Sequence, residues 1–340
     1  MIKPAQLWLS IFLAGFVVLA CLLIQSLVTP VPYGDLTRIG RISETEFGWR
    51  GAQPRVEFAQ LRGVSVERAD ILVIGDSFSA THVWQSRLTQ AGYGVATVFW
   101  DNLGERLCSD FDDWLRASGF RGKLVIIESV ERIVSMRLAH THACERTDRP
   151  LTALTAPRSL PQEHAPDFAL NWNAQLISGW LTARCTGSAI AGRVGRNCDP
   201  QTVARPVKGG CERFTHRRCD TALFLAADRE LGEITPTHAA QMQAFNQAHA
   251  SVPILWMVVP NKWTTYLEPS HSHAFIQALV QNDLGPDLFG FAQHQKKAMR
   301  DFYYPNDTHI STLGQITLGE RMLRAVQQRL GSDQPVPNGA

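Results

Sequence analysis

The sequence predicts an α/β domain with a parallel sheet, preceded by one N-terminal transmembrane helix. Four short aliphatic runs predict the strands, at residues 71–74, 95–100, 123–127 and 253–259. Runs of this kind are buried on both faces of parallel sheets, and stretches with helical periodicity separate them here. Alternating strands and helices are typical of doubly wound α/β proteins, which bind ligands at the carboxyl ends of their strands.

The composition is that of a globular protein with a sizeable core. Of the 340 residues, 45% are apolar and 19% are charged, which suits one large domain or two smaller ones. The formal net charge is +2, and no block of basic residues stands out. The chain lacks the electrostatic footprint of a nucleic-acid-binding protein, so we expect no nucleic-acid partner.

The N-terminal segment differs in kind from the rest of the chain. Residues 4–34 contain no charged side chain, and residues 7–28 are almost continuously apolar. A helix of about 20 apolar residues crosses a bilayer, so residues 1–29 are predicted to form an uncleaved membrane anchor. A cleaved secretory signal is the alternative, but the apolar run is long and lacks a convincing cleavage site of small residues.

The cysteines indicate an oxidising compartment. Six cysteines follow Cys21, and an even number in an exported domain suits disulfides. Two local pairs are attractive and leave a third, although the sequence alone does not decide the connectivity: Cys185–Cys198, Cys211–Cys219 and Cys108–Cys144. We therefore expect a single-pass protein of the inner membrane whose body lies in the periplasm.

A metal site is the alternative use of His140, His142 and Cys144, which lie close together in the sequence. Structural zinc sites usually contain two closely spaced ligand pairs, and the chain has no Cys-x-x-Cys motif. A disulfide accounts for Cys144 more simply in an exported chain. We therefore predict neither a metal nor any other cofactor.

The organisation predicted along the chain continues beyond the anchor in three parts. A polar linker rich in Gly and Arg, residues 30–66, leads to the main domain, residues 67–330. A cysteine-rich insertion at about residues 140–234, with little periodicity, interrupts this domain over or beside its functional face. One amphipathic helix is expected within residues 166–183. The tail, residues 331–340, lacks an apolar pattern and is predicted to be disordered.

A serine follows the first predicted strand in the motif Gly75-Asp76-Ser77-Phe78, and helical spacing predicts a helix over residues 78–94. A serine on a strand-to-helix turn exposes its hydroxyl, and its backbone N–H lies at a helix N-terminus, where negative charge is favoured. Acyl transfer needs an exposed nucleophile and donors for the developing oxyanion. Ser77 is therefore the candidate nucleophile, and the alternative is a helix cap without chemistry. Asp76 is interpreted as a turn residue.

A second candidate pair lies near the other end of the chain. Asp307 and His309 stand on a loop before the last predicted helix, whose N-cap is Ser311 or Thr312. A histidine is the usual general base for a serine, and a nearby carboxylate fixes its tautomer and stabilises its cationic form. We expect these residues to meet Ser77, although aspartate and histidine are also ordinary loop residues.

These motifs resemble those of the SGNH/GDSL hydrolase superfamily, in which a Gly-Asp-Ser turn follows the first strand and an Asp/His pair precedes the last helix. The similarity is closer to the alginate O-acetyltransferase branch, whose Gly-Asp-Ser-Phe and Asp-Thr-His motifs are matched at residues 75–78 and 307–309. That branch also tends to have a strand that ends in Pro-x-Lys before a tyrosine, as at Pro260, Lys262 and Tyr266.

The resemblance covers roughly residues 67–330 and implies a three-layer α/β/α fold with Ser77, Asp307 and His309 as the catalytic triad. In the alginate branch, however, the Asp-Thr-His motif precedes the serine motif and is followed by Trp, where this chain has Ile310. The Gly-x-Asn-Asp block, which supplies an oxyanion-hole asparagine in the superfamily, is also missing. Other groups must therefore hold the oxyanion.

The N–H of Ser77 is the best candidate for an oxyanion donor, and the loop Asn102-Leu103-Gly104 after the second strand is another source. Ser77, the Asn102–Gly104 loop and Lys262 all fall at the carboxyl ends of predicted strands. We therefore expect Ser77, Asn102, Gly104 and Lys262 to share one site.

Three further residues are candidates for binding the oxyanion or the substrate. Arg132 stands where the missing block should fall and is predicted to bind the oxyanion or an anionic sugar; an ion pair with Glu131 or Glu128 is the alternative. Lys262 and Tyr266 are candidates for contacts to the substrate or its carrier. A lysine that ends a strand is commonly just solvated, and Tyr266 is the weaker of the two.

The resemblance implies a membrane-anchored periplasmic O-acetyltransferase that acetylates the hydroxyls of a polysaccharide through an acetyl-serine. It also implies a multi-pass membrane acyltransferase as the acetyl donor, because a chain with one spanning segment cannot carry acetyl groups across. The same residues would serve a carbohydrate acetylesterase, in which water replaces the sugar hydroxyl. A non-catalytic polysaccharide-binding or scaffold member of a secretion complex is the third alternative.

Overall fold

The chain is described by a computed structural model at residues 3–231 and 233–331. It divides into two compact units, each built from three separate segments. The first unit comprises Met1–Gly51, His164–Ala226 and Tyr304–Thr308. The second unit comprises Ala52–Glu163, Ala227–Tyr303 and His309–Ala340.

The first unit begins with the apolar N-terminal helix α1, which spans Pro4–Val28. Among the described residues it is the one helix long and apolar enough to cross a membrane, with a mean hydropathy of 2.8. At 1.5 Å per residue it is about 37 Å long, which exceeds the roughly 30 Å of a bilayer's hydrocarbon core. The prediction of an N-terminal helix of transmembrane length is therefore confirmed.

The rest of the first unit combines helices with a two-stranded antiparallel sheet. Its elements, numbered along the whole chain, are α2 (Asp35–Gly40), α3 (Glu44–Phe47), α7 (Ser178–Ile190), β4 (Thr202–Pro206), α8 (Gly210–Arg213) and β5 (Thr221–Leu225). Leu36, Ile42 and Phe47 pack with apolar residues of both strands into one core. Residues 35–47, which were predicted as linker, thus contribute two helices and buried side chains to this unit.

The amphipathic helix expected within residues 166–183 is only partly present, because α7 covers just the end of that range. The residues before α7 have their backbone hydrogen-bonded to the end of α1 instead. The N–H of Asn171 donates to the carbonyl of Leu27 at 2.8 Å. The carbonyl of Leu176 accepts from the hydroxyl of Ser26 at 2.8 Å. This expectation was wrong because a tertiary contact with α1 sets the backbone conformation of these residues. Sequence periodicity does not report such a contact.

All three predicted disulfides are present. Cys185–Cys198 and Cys211–Cys219 lie in the first unit, and Cys108–Cys144 lies in the second. The remaining cysteine, Cys21, is reduced and exposed on α1. The structure thus supplies the connectivity that the sequence alone left open.

The second unit is built on a parallel sheet of four strands. They are β1 (Ile71–Gly75), β2 (Val95–Phe99), β3 (Leu124–Val130) and β6 (Ile254–Val259), in the spatial order β2-β1-β3-β6. Every residue in these strands is buried, as expected when both faces of a parallel sheet are covered. The predicted α/β class, its parallel sheet and all four predicted strands are confirmed.

Helices of the second unit pack with the sheet into one large apolar core. The helices that contribute side chains to this core are α5 (Phe111–Ala117), α6 (Glu131–His142), α10 (Pro236–Ala248), α12 (His273–Gln281) and α13 (Leu288–Ala298). The unit also contains α4 (Gln85–Gln90), α9 (Ala227–Glu230), α11 (Lys262–Tyr266) and α14 (Thr312–Leu330). Gly331 ends α14 in the left-handed conformation. The rest of the predicted disordered tail, residues 332–340, lies outside the described residues.

The carboxyl ends of the strands bring several loop segments to one edge of the sheet. Gly75 at the end of β1 is opposite Phe99 at the end of β2. Strand β3 continues past its pairing with β1 to Val130. The segments that begin with Asp76 and Trp100 therefore leave the sheet beside the last residues of β3.

The helix predicted over residues 78–94 is replaced by shorter pieces. Ser77–Ser79 form a single 3-10 turn, and α4 is the only α-helix in this stretch of the described chain. His82 separates the two pieces, because its φ of 55° lies in the left-handed region, which an α-helix does not contain. Its ring is 2% exposed, and its Nδ1 lies 2.8 Å from the carbonyl oxygen of Leu61. This buried polar contact interrupts the helix that the apolar spacing predicted.

Candidate active site

The turn that carries Ser77 is tightly constrained. Asp76 is the N-cap of the 3-10 turn, and its Oδ1 accepts the N–H of Phe78 at 3.0 Å. A Cβ atom on Gly75 would lie 2.4 Å from the hydroxyl oxygen of Ser79, so only glycine permits this close approach. Asp76 and Phe78 are buried, whereas Ser77 between them is exposed. The turn therefore presents the hydroxyl-bearing residue to solvent, as the sequence predicted.

His309 lies within hydrogen-bond distance of the Ser77 hydroxyl. Its Nε2 is 2.8 Å from Ser77 Oγ, although the two residues are 232 positions apart in the chain. The imidazole also packs against the ring of Phe78, with 5.0 Å between the ring centroids. These contacts hold the histidine over the turn, so the predicted pairing of Ser77 with His309 is present in the structure.

The loop that carries His309 is held at both sides within the second unit. Tyr303 and Ile310 form an isolated antiparallel bridge that closes it. Ser311 is the N-cap of α14, and its Oγ accepts the N–H of Gly314 at 3.2 Å. The side-chain amide of Gln315 donates to the carbonyl of Ile310 at 3.0 Å. Backbone pairing before α14 and the cap at its start therefore set the position of His309.

Asp307 precedes His309 by two residues and packs with the first unit. Its Oδ2 accepts the N–H of Asp35, the first residue of α2, at 2.9 Å. Asp35 in turn accepts the N–H of Thr308 at 2.9 Å. The half-buried carboxylate of Asp307 thus has a defined place at the N-terminus of α2.

A buried glutamate lies directly beneath the serine turn. Glu128, in β3, is fully buried, and its Oε2 accepts the N–H of Asp76 at 2.7 Å and the hydroxyl of Ser79 at 2.9 Å. The indole N–H of Trp84 donates to the same Ser79 hydroxyl at 3.1 Å. One carboxyl group therefore contacts the turn on both sides of Ser77.

A buried cation completes this network from helix α6. The guanidinium of Arg137 donates to the Asp76 carboxylate at 3.0 Å and to the Ser129 hydroxyl at 2.8 Å. A third hydrogen bond reaches Glu105 at 2.9 Å, and the guanidinium lies 4.6 Å from the ring of Trp100. The Asp76 carboxylate also accepts the N–H of Val130 at 2.9 Å. Every side chain and backbone group named here lies at the carboxyl edge of the sheet.

The pKa values of the two buried carboxyl groups, Glu128 and Asp76, are shifted in opposite directions. Burial raises the pKa of Glu128 well above its usual range, and the negative charge of Asp76 raises it further. Burial also opposes the charge of Asp76, but the Arg137 guanidinium and two backbone N–H donors bring the pKa of Asp76 below its usual value. Burial therefore favours the protonated form of Glu128, whereas Arg137 and the backbone donors favour the ionised form of Asp76.

Sequence reasoning missed the roles of Glu128 and Arg137. A charged residue inside the otherwise aliphatic strand β3 was the available signal, because such residues are almost never fully buried without partners. The sequence suggested Glu128 only as a possible partner of Arg132. Arg137 carries no comparable signal, since nothing local distinguishes it from the other polar residues of α6.

The structure reduces the number of N–H groups that can donate to an oxyanion. The N–H of Ser77 opens the 3-10 turn and donates no hydrogen bond within the described residues. The N–H of Asn102, by contrast, donates to the Asp101 carboxylate at 2.9 Å. The N–H of Gly104 donates to the Asp101 carbonyl at 3.3 Å. The Ser77 N–H therefore stays the best candidate, and the other two donors are already engaged locally.

Arg132 makes a structural ion pair, but not with the expected residues. Its guanidinium lies 3.1 Å from the carboxylate of Asp228 and 3.5 Å from the side-chain oxygen of Asn261. The alternative for Arg132, an ion pair, is thus present, but its partner is Asp228 and not Glu131 or Glu128. Glu131 instead accepts hydrogen bonds from the N–H of Asn261, the N-cap of α11, and from the hydroxyls of Thr264 and Ser272.

Lys262 and Tyr266, the other two predicted binding residues, are both buried. Lys262 is 1% exposed, so the expectation that a strand-end lysine is solvated was wrong. Burial raises the pKa of Asp228, and the charges of Arg132 and Lys262 partly offset this rise. The hydroxyl of Tyr266 accepts the N–H of Tyr303 at 3.4 Å. These residues form a buried polar cluster beyond β6.

An aromatic chain connects this cluster with the Ser77 turn. The rings of Tyr266 and Tyr303 have centroids 6.2 Å apart, and those of Tyr303 and Phe78 are 6.4 Å apart. Phe78 in turn contacts the ring of His309. Lys262 and Tyr266 are therefore linked to the candidate site through packing, and no hydrogen bond to Ser77 joins them within the described chain.

Comparison with known proteins adds no classification to this site: no protein family, no curated protein and no solved structure matches the chain. What is established is an α/β unit whose parallel four-stranded sheet carries a serine–histidine pair at its carboxyl edge. Three disulfides and one apolar N-terminal helix accompany it.

Proposed function

We propose that this protein is a membrane-anchored periplasmic O-acetyltransferase that acetylates a polysaccharide through an acetyl-serine intermediate on Ser77. The observation that carries the proposal is the 2.8 Å separation between Ser77 Oγ and His309 Nε2 at an exposed turn. A serine hydroxyl at this distance from an imidazole has a general base in reach of its proton. The resemblance of the motifs around both residues to those of SGNH-type acetyltransferases supports the substrate class.

In the first half-reaction, Nε2 of His309 takes the proton of Ser77 while Oγ forms a bond to the acetyl carbonyl carbon of the donor. The carbonyl π electrons move to oxygen, and the N–H of Ser77 stabilises the resulting oxyanion. When the intermediate collapses, the bond to the donor's leaving oxygen breaks, and that oxygen takes the proton from His309. The products are an acetyl-serine and the deacylated donor.

In the second half-reaction, His309 removes the proton from a sugar hydroxyl, which attacks the acetyl-serine carbonyl. Collapse returns the electron pair to Oγ of Ser77, and His309 returns the proton to it. The sugar then carries an acetyl ester and the enzyme is unchanged. Two successive transfers through one serine predict ping-pong kinetics.

For Nε2 to accept a proton, the neutral imidazole must carry its hydrogen on Nδ1. We propose that Asp307, two residues before His309, holds this tautomer and stabilises the imidazolium. The carboxylate of Asp307 is held by the N–H of Asp35. Glu128 and Asp76 act indirectly, because their hydrogen bonds set the shape of the turn that presents Ser77.

The helix α1 and the three disulfides support the proposed location, an inner-membrane anchor with a periplasmic body. The hydroxyl of Ser26 is buried, donates to Leu176 and accepts the N–H of Gly179 at 3.0 Å. A signal sequence that is removed would not be built into the folded protein in this way. A retained anchor would place the chain beside the multi-pass membrane acyltransferase that we propose as its acetyl donor.

The test uses the full chain in lipid nanodiscs with 4-nitrophenyl acetate as donor and oligosaccharides as acceptors. We expect an acetyl group on the Ser77 peptide by mass spectrometry and acetylated sugar among the products. Ser77→Ala should abolish both, whereas Ser251→Ala, at an exposed serine of the same unit, should change neither.

The same experiment separates the alternatives. Free acetate without acetylated sugar would favour a carbohydrate acetylesterase, because water would then be the acceptor. Folded protein that forms no adduct at Ser77, even with a sulfonyl ester, would overturn the catalytic proposal. That outcome would favour a polysaccharide-binding or scaffold role. The absence of the Gly-x-Asn-Asp block would then agree with a site that has lost catalysis.

A further inference from the structure

One segment of the first unit exposes large apolar side chains without any charge among them. Residues 168–183 contain no Asp, Glu, Lys or Arg. Trp172 is 77% exposed, Phe168 is 69% exposed, and Trp180 at the start of α7 is 43% exposed. Soluble proteins rarely leave a contiguous apolar surface of this kind uncovered, and such a surface usually contacts a partner or a membrane.

This segment is attached to the last turn of α1. The N–H of Asn171 donates to the carbonyl of Leu27, and the Ser26 hydroxyl bridges the carbonyl of Leu176 and the N–H of Gly179. A Cβ atom on Gly179 would lie 2.6 Å from the carbonyl oxygen of Gln25, so the two chain segments are in direct backbone contact. The exposed aromatic residues therefore lie at the level where α1 ends.

If α1 spans the bilayer, its C-terminal end lies at the membrane surface. Its 25 residues exceed the hydrocarbon core by several ångströms, so its last turn reaches the headgroup region. Tryptophan is enriched in this region, because its ring is apolar while its N–H can stay hydrogen-bonded. Phenylalanine is common on the apolar face of segments that lie in the membrane interface. The first cation after the uncharged stretch, Arg184, lies 5.4 Å from the ring of Trp180, where it can reach lipid phosphates.

We propose that residues 168–181 form a second membrane contact, in which Phe168, Trp172 and Trp180 are inserted into the headgroup region of the bilayer that α1 spans. The occupant of this surface is lipid, because the surface is continuous with the lipid-facing surface of α1. The first unit is then attached to the membrane at two points, so that it cannot swing freely about the end of α1. This inference depends on the proposed anchor but not on the proposed chemistry.

The test is a depth measurement on the full chain in nanodiscs. In a Cys21→Ser background, single cysteines replace Leu13 in α1, Trp172, and the exposed Lys297 of α13. Each cysteine receives a nitroxide, and its collision rates with oxygen, which concentrates in lipid, and with a water-soluble nickel chelate are measured. We expect position 172 to favour oxygen over nickel, at a depth between that of position 13 and that of position 297.

Three outcomes would overturn the proposal, and they are distinguishable. Nickel access at position 172 equal to that at position 297 would show that the segment lies in water. Protection from both reagents would show a protein contact, with a partner or a second copy, instead of lipid. Nickel access at position 13 would remove the anchor itself, and this inference with it.

A second measurement avoids the nitroxide. Lipids brominated near the headgroup quench the fluorescence of tryptophans that touch them, and Trp172→Phe should lower the quenched fraction. Trp256→Phe, which removes a buried core indole, should leave the quenched intensity unchanged. Equal quenching of the native chain and Trp172→Phe would contradict insertion of this side chain.

Discussion

At the scale of single residues, the proposed reactivity of Ser77 depends on the groups around its hydroxyl, because a serine is a weak nucleophile by itself. The hydroxyl is exposed, and His309 Nε2 lies 2.8 Å away, so the proton has a base to move to. The ring of Phe78 packs against the imidazole, and the Ser77 N–H is available for a developing oxyanion. Removing the imidazole should therefore slow acylation.

Replacing the base tests this directly. We expect His309→Gln to lower the rate of Ser77 acetylation by about 100- to 10,000-fold, the usual contribution of general base catalysis. The rate is measured with 4-nitrophenyl acetate and mass spectrometry of the Ser77 peptide. His294→Gln, at an exposed histidine of α13, is the control and should leave the rate unchanged. Acetylation by His309→Gln at the native rate would exclude His309 as the base.

The buried Glu128 leads to a prediction about charge. Because burial raises its pKa in the folded chain, the folded state binds a proton that the unfolded state has lost between about pH 4.3 and the raised value. The stability associated with Glu128 is therefore complete below about pH 4.3 and decreases as the pH rises through this window. We expect Glu128→Gln, which stays neutral, to gain thermal stability relative to the native chain as the pH increases from 5 to 8.

Glu128→Ala is the matched variant at the same position. It removes the acceptor of the Asp76 N–H and the Ser79 hydroxyl, and unsatisfied buried donors cost about 1–3 kcal/mol. It should therefore be less stable than Glu128→Gln at every pH and should acetylate Ser77 more slowly. The stability of the native chain is compared with that of Glu128→Gln at each pH. If the difference does not change with pH, the pKa of Glu128 is not raised in the folded chain.

At the scale of elements, the active turn depends on how closely β1 approaches its neighbours. Gly75 ends the strand where an added Cβ atom would lie 2.4 Å from Ser79 Oγ and 2.9 Å from Glu128 Oε2. The strand, the 3-10 turn and the buried carboxyl group therefore act as one rigid support for Ser77. The same contact explains why a glycine precedes the serine by two positions.

Gly75→Ala should disturb this support. We expect a loss of about 1–3 kcal/mol in stability, the usual cost of overpacking, together with slower acetylation of Ser77. Thermal unfolding and the acetylation rate are the two measurements. Gly187→Ala is the control, because a Cβ atom at that position within α7 meets nothing within 4 Å. If the two variants behave alike, the turn does not depend on the close approach at Gly75.

At the scale of the whole molecule, the end of α1 is part of the fold. Ser26 is fully buried and hydrogen-bonded to two backbone groups near the start of α7. Cleavage between α1 and the rest of the first unit would remove these contacts. The protein isolated from membranes should therefore retain its N-terminal helix.

Intact mass measurement of the membrane-extracted protein tests this prediction. We expect a chain that includes residues 4–28, found in the membrane fraction and resistant to extraction at high salt. Ser26→Ala should remain uncleaved but should melt at a lower temperature, since two hydrogen bonds are lost. A mature N-terminus beyond residue 29 would contradict a retained anchor.

The sequence alone determined the features that depend on local pattern. Aliphatic runs bounded by turn residues predicted all four parallel strands, because burial on both faces demands an uninterrupted apolar stretch. The even number and the proximity of the cysteines favoured three pairs, although only the structure decided their connectivity. Helix α1 followed from length and hydropathy. The Ser77 and His309 motifs were recognisable because each stands at a characteristic strand or helix boundary.

Only the tertiary structure decided which distant groups meet. The sequence did not predict the burial of Glu128 and Lys262 or the ion pair of Asp76 with Arg137. Burial of a polar side chain depends on neighbours that are far away in the chain. The helix after Ser77 was overpredicted, since the contact of His82 with Leu61 is also non-local. Local sequence specifies periodicity and turn chemistry, whereas the charge and contacts of a buried group follow from the packing around it.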